Sequence, residues 1–290
     1  MRRLRFLMGR HRAPSVDRTF GLLLAFNAGA VNAGGFLVLH MYTSHMTGFA
    51  SQLADGLVLG NTVLVLNALG ALLAFICGAA TSAMQVNWGR QYRLRSVYAL
   101  PLMLEAVLLL LFGLVGAITL TWHTPFAVPL TVLLLSFIMG LQNAMGTKSS
   151  GGKIRTTHMT GNVTDLGIEL GKMLYWNRRG TPVAALVRHN RQRLQLFAGL
   201  IGMFIAGGLM GAAGFKYVGF ICVVPLAALL LLLSLPPFLD DVRRSAELRQ
   251  VLRALAVRLR LRKPDEAPAP PPASHQESST RDTHANRPGP

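Results

Sequence analysis

Phe26-x-x-Gly29-x-x-Asn32-Ala33, followed by Ser44-His45-Met46-Thr47-Gly48, is matched later by Phe137-x-x-Gly140-x-x-Asn143-Ala144 and then Thr157-His158-Met159-Thr160-Gly161. Two ordered blocks in one chain, with a small insertion in the second, are the mark of an internal duplication. The number of membrane crossings per copy then decides the architecture. An even number leaves the copies parallel; an odd number turns the second upside down.

The setting of the blocks is apolar. The chain has 290 residues, 51% of them hydrophobic and 14% charged, with a mean hydropathy of +0.41. Apolar runs recur at roughly 20–42, 62–84, 97–120, 126–146, 194–215 and 217–238, and about 20 apolar residues suffice to cross a bilayer. The first run follows Met1-Arg2-Arg3-Leu4-Arg5. It is full length and carries Asn27 and Asn32, so it reads as a retained span and not as a cleaved leader.

Charge orients these runs. The net charge of +17 is not spread as a nucleic-acid surface would need. Six arginines from Arg2 to Arg18 precede the first run, Arg90, Arg93 and Arg95 follow the second, and Lys148 to Arg193 follow the fourth. Arg243 to Lys263 follow the sixth, while 43–61 and 121–125 hold no Lys or Arg. Lys and Arg resist translocation, so six spans with both termini cytoplasmic satisfy every loop. Three crossings per copy then predict inverted repeats, with Ser44–Gly48 at the outer face and Thr157–Gly161 at the inner one. An eight-span alternative, with 46–60 and 159–175 also crossing, gives parallel repeats but puts Arg90, Arg93 and Arg95 outside.

The expected class is therefore an all-α integral membrane protein of about six transmembrane helices. It divides into a basic N-terminus (1–19), repeat 1 (20–120), repeat 2 (126–238), a basic amphipathic helix (240–263) and a disordered tail (264–290). The amphipathic helix, with Val242, Leu248, Val251, Leu252, Leu255 and Leu259 among arginines, is suited to anionic lipid headgroups. The tail is rich in Pro, Ser and Ala and has no core to bury. Cys77 and Cys222 lie inside apolar runs without metal-ligand spacing and read as packing residues.

Chemistry has few candidate positions. Asn32 and Asn143 are carboxamides held at the same place in both copies; such groups need partners or water in a membrane. Each His-Met-Thr-Gly block opens a segment shorter than a span, which predicts a re-entrant or interfacial helix capped by Thr47 or Thr160, with Asn162-x-x-Asp165 resembling a capping box. Helix N-termini of this kind favour anions. His45 and His158 supply side chains of the type that changes charge near neutral pH. Asn32, His45, Thr47, Asn143, His158, Thr160 and Asn162 are thus the expected substrate-binding set, gathered at the midplane. Glu105, inside the third run, is an acid at membrane depth; with Asp55 and Asp165 it is the expected proton or ion coupling group, its alternative being a pairing with a polar group on a neighbouring helix. Lys153 and Arg155 would attract anions or simply orient the chain. The packing alternative for the glycines and asparagines is close helix approach; Gly207-x-x-x-Gly211 offers such a contact to a homo-oligomer. His-Met pairs suit Cu(I), but no further soft ligand clusters with them, so no metal or cofactor is expected.

At these residues the chain resembles the YoaK family of bacterial integral membrane proteins. The likeness rests on Asn32-Ala33 with Ser44–Gly48 and on Gly140-Leu141-Gln142-Asn143-Ala144 with Thr157–Asn162, and covers roughly residues 19–240. It implies a multi-pass protein of the bacterial inner membrane and supplies no activity. No Walker loop, Gly-x-Ser-x-Gly elbow, His-Glu-x-x-His or Cys-x-x-Cys occurs, so the physical reading favours a secondary carrier or channel for a small polar or anionic solute over an enzyme. Its rival is a membrane-embedded assembly or regulatory subunit in which the repeated motif only packs helices.

Overall fold

The computed structural model describes residues 14–260 except 95, 122–126, 151, 153–154, 179–181 and 184–185. Eight α-helices are present among the described residues, in the order α1 (Pro14–Leu39), α2 (Met46–Val58), α3 (Thr62–Gln91), α4 (Ala99–Thr121), α5 (Ala127–Ser149), α6 (Met159–Leu174), α7 (Arg191–Tyr217) and α8 (Val223–Arg260). A 3-10 turn, Gly219–Cys222, leads into α8. Six of them (α1, α3, α4, α5, α7 and α8) contain stretches long and apolar enough to cross a bilayer; α2 and α6 do not. Among the described residues the bundle ends at Arg244, and those from Ser245 form a separate unit. Residues 1–13 of the basic N-terminus, Lys153, the end of the basic helix at 261–263 and the 264–290 tail fall outside the described residues. The helix expected to begin at 240 continues α8 without a break, through Pro236 and Pro237.

Local chemistry sets the short helices. Gly60, at φ +65°, closes α2: the Asn61 N–H reaches back to the Gly56 carbonyl at 2.9 Å and the Leu59 N–H to Asp55 at 2.8 Å, the left-handed stop that glycine accepts most readily. Asn61 then caps α3, its side chain accepting from the Leu64 N–H, and Asn190 caps α7 in the same way.

The packing exchanges helices between repeats. An added Cβ on Gly29 of α1 would land on the Phe204 carbonyl of α7, and one on Gly207 would land on the Phe26 carbonyl. The same reciprocal pair recurs between α3 and α5: Gly78 faces the Phe137 carbonyl and Gly140 the Phe75 carbonyl. Four Phe-x-x-Gly segments thus form two close crossings, each between the first long helix of one repeat and the second of the other. Backbones approach this closely only where a side chain is missing. Gly207 and Gly211, expected to serve an oligomer, pack within the chain against Phe26 and Ala30.

Contact order along each pair gives direction. Arg18 with Gln195, Gly29 with Phe204 and Gly34 with Phe215 show that α1 and α7 run the same way. Leu24 with Gln142 and Gly35 with Leu135 show that α1 and α5, which are equivalent helices, run in opposite directions. Gly116 with Phe220 and Ser96 with Asp241 give the same opposition for α4 and α8. These registers collect Arg18, Arg90, Lys148, Arg191 and Arg193 at one end of the bundle, where the chain knits α3, α4 and α5 together. There Arg90 donates to the Tyr98 hydroxyl at 3.1 Å, Tyr98 donates to the Lys148 carbonyl at 3.2 Å, and Lys148 donates to Asn87 at 3.0 Å. The Asp241 carboxylate accepts from both the N–H and the hydroxyl of Ser96, at 2.8 and 2.7 Å.

The first helix of each repeat is central. About two thirds of the apolar window of α1 is buried (67%) and nearly as much of α5 (61%), against 17% for α3 and for α7. That explains why polar residues survive in α1 and α5: they face protein and not lipid.

Candidate functional site

Each short helix begins at its histidine. His45 (φ −92°, ψ 72°) and His158 (φ −84°, ψ 65°) are the N-cap residues of α2 and α6. Thr47 and Thr160, expected as caps, sit two positions inside and are exposed. The ring Nδ1 of each histidine lies over the glycine three residues on, where a Cβ would collide with it. His-x-x-Gly is therefore a steric pair: the glycine makes room for an imidazole folded back across the first turn. The threonine-cap expectation failed because it considered hydrogen bonding and not this room.

The buried stripes of the two helices coincide. Phe49 and Gly56 are buried on α2, and Asn162 and Glu169 at the equivalent positions of α6. Asn162 is no part of a capping box. It is 4% exposed, and its amide donates to the Arg155 carbonyl at 3.0 Å, holding the segment before His158 against α6. Where repeat 1 has an apolar anchor, repeat 2 has a polar one.

The asparagines also differ. The Asn32 side-chain oxygen accepts from the Ser44 hydroxyl at 2.8 Å, which ties the end of α1 to the start of α2. The equivalent oxygen of Asn143 is buried without a partner. Thr43 and Thr156, one residue before each motif, are both fully buried with unpartnered hydroxyls. Because Gln142 lies level with Leu24 and α5 runs against α1, Asn143 and Asn32 stand about 13 Å apart along α1, at about 1.5 Å per residue. The expected substrate-binding residues are thus not gathered at one level: the Asn32–Ser44 bond puts Asn32, and with it the motif of His45 and Thr47, on one side of the middle of α1, while Asn143, next to Gln142 and followed by His158, Thr160 and Asn162 in the second repeat, lies on the other. The reason is the opposed direction of α1 and α5.

A pocket of about 480 Å³ opens at the second His-Met-Thr-Gly motif, lined by Gly152, Arg155, His158, Thr160, Gly161, Asn162, Thr164 and Asp165. It sits at the N-terminus of α6, whose positive dipole end favours an anion, with Arg155 on its wall. Asp165 is exposed at its rim, and Asp55 is exposed on α2; neither approaches Glu105. Below the pocket, Glu169 joins α6 to α7: its carboxylate accepts from the Asn190 N–H at 2.7 Å and from Lys172 at 2.9 Å. The Asn190 N–H first, then Lys172, hold the Glu169 carboxyl below the usual glutamate range.

Glu105 is fully buried in α4, where Asn27 of α1 donates to it at 3.3 Å. Sequence reading noted Asn27 and Gln142 only as polar residues in apolar runs. An acid and a carboxamide in neighbouring central spans were the signal that could have paired them. Among the described residues no group of three or more His, Cys, Asp or Glu gathers as a metal-binding cluster.

The family profile described as Protein of unknown function (DUF1275) matches residues 20–235, most of the chain. The chain belongs to this family. The DUF1275 match takes in both repeats and both histidine-headed helices and ends just before Pro236. The UPF0700 transmembrane protein YoaK of Bacillus subtilis (strain 168) is 31% identical to this DUF1275 chain over 171 residues, 58% of this chain and 73% of YoaK. No solved structure matches. With six apolar helices and a transmembrane relative, this DUF1275 protein is a multi-pass membrane protein, as the motif likeness implied.

Proposed function

We propose that this protein is a secondary carrier for a small anionic or polar solute in the bacterial inner membrane, built from two inverted repeats that each supply one mouth. The gathering of basic residues at one end of the bundle favours a cytoplasmic position for that end and for both termini. Exposed Trp88 and Tyr92, their rings 4.7 Å apart and tilted by 41°, suit a headgroup boundary there. The opposed directions of α1 and α5, and of α4 and α8, favour repeats related by an axis in the membrane plane.

One observation carries the reading: the two equivalent mouths are in different states. At the His45 mouth the Asn32–Ser44 bond ties α1 to the α2 entrance. In the second repeat the Asn143 oxygen has no partner, and a pocket lined by Arg155, His158 and the first turn of α6 opens at the motif. Equivalent polar groups that are paired in one repeat and unpaired in the other suit a device that alternates between two states. Purified protein in proteoliposomes tests it. Double substitution His45→Ala and His158→Ala is expected to abolish solute flux while the protein stays folded. Unchanged flux in the double variant overturns the mechanism.

A further inference from the structure

We infer that Asn27, Glu105 and Gln142 form a buried binding site for one small monovalent cation of the sodium class. The inference deepens the carrier reading and rests on it for its purpose, since a coupled carrier needs an ion site near its centre.

The geometry begins with α1. Leu24 and Asn27 lie one turn apart on this central helix. Asn27 donates to Glu105 Oε1 of α4 at 3.3 Å, and the Gln142 amide of α5 donates to the Leu24 carbonyl at 3.2 Å. All three side chains are fully buried. Each carboxamide has used its N–H on a neighbour, which leaves the oxygens over. Asn27 Oδ1, Glu105 Oε2 and Gln142 Oε1 are buried and accept no hydrogen bond. Glu105 and Gln142 thus reach α1 one turn apart, at Asn27 and at the Leu24 carbonyl, and leave three unpartnered buried oxygens on three helices.

Their chemistry specifies the ligand. Buried polar atoms in native proteins almost always have partners, and a carboxylate at membrane depth needs a compensating charge. Glu105 has no ion pair among the described residues. A proton on Oε2 would serve that oxygen and at most one other, whereas a bound cation serves all three. Carboxylate and carboxamide oxygens suit hard ions and not copper or zinc. A single carboxylate balances a single positive charge, which disfavours a divalent ion.

The duplication supplies an independent argument. The position of Asn27 is Ile138 in the second repeat, and that of Gln142 is Val31 in the first; both are buried. A packing device inherited with the repeat, like the glycine crossings, would occur twice. This trio occurs once, across the seam between the repeats.

The test reads binding without transport. Full-length protein in detergent is heated in sodium chloride and, at equal ionic strength, in choline chloride. Sodium is expected to raise the unfolding midpoint saturably, and Glu105→Gln to abolish the effect. Gln142→Met keeps the Asn27–Glu105 bond and volume while removing one oxygen, so it guards against a Glu105→Gln variant that fails to fold. It is expected to weaken sodium about tenfold, the worth of one contact to a charge. No sodium effect in the wild type, or an undiminished one in Gln142→Met, overturns the site. Solute flux without sodium binding removes the cation site alone; sodium binding without solute flux removes the carrier and leaves the site.

Discussion

At the scale of single residues, the histidines and Glu169 show how far side-chain chemistry is set by position. Glu169 holds α6 to the start of α7, and the sign of its pH effect follows from its partners. Its carboxyl is held below the usual range, so its contribution is fully present above the ordinary glutamate value of about 4.3 and is lost as pH falls through the lower folded value. Thermal midpoints measured from neutral pH downward should fall at the acid end, and Glu169→Gln should start lower at neutral pH and lose that acid-dependent part. A variant with the wild-type pH profile would show that the carboxylate is not the clamp. The His-x-x-Gly motif was legible as a repeat, but its meaning was not. Threonine is the better cap by composition, and only the fold shows an imidazole occupying the space left by Gly48 and Gly161. Asn162 was legible as polar; that its partner is the Arg155 carbonyl was not, because that contact depends on the path of the loop before α6.

At the scale of helices, the decisive contacts are the reciprocal glycine–carbonyl crossings. Filling one forces two backbones apart, an overpacking that costs about 1–3 kcal/mol. Gly207→Ala and Gly140→Ala should each lower the unfolding midpoint in detergent. Gly202→Ala, on the same helix as Gly207 but with open space around it, should not. Equal loss in all three would place the cost in the helix itself and not in the crossing. The four Phe-x-x-Gly segments, at Phe26, Phe75, Phe137 and Phe204, stand in plain view in the sequence. Which helix meets which does not. Spacing marks a thin face on a helix, and partner choice is settled by the whole bundle. The spans themselves were legible because about twenty apolar residues have few other uses; the continuation of α8 through Pro236 and Pro237 was not, since proline argues locally for a break.

At the scale of the molecule, each repeat depends on the other for its interior. Residues 1–123 and 124–290 expressed separately should each fail to give a monodisperse, folded membrane protein, whereas co-expression should return a stable complex that purifies on one tag. A half that folds alone would contradict the exchanged packing. The exchange also bears on how the chain is made. Arg18 and Gln195 are 177 residues apart, and ribosomes add about 5–20 residues per second. The first helix therefore waits about 9–35 s in the bilayer before its mate is synthesised, with a groove of bare backbone open to lipid and to stray neighbours. Safe biogenesis calls for a temporary escort on that groove, and slowed translation of the second half should raise the fraction degraded.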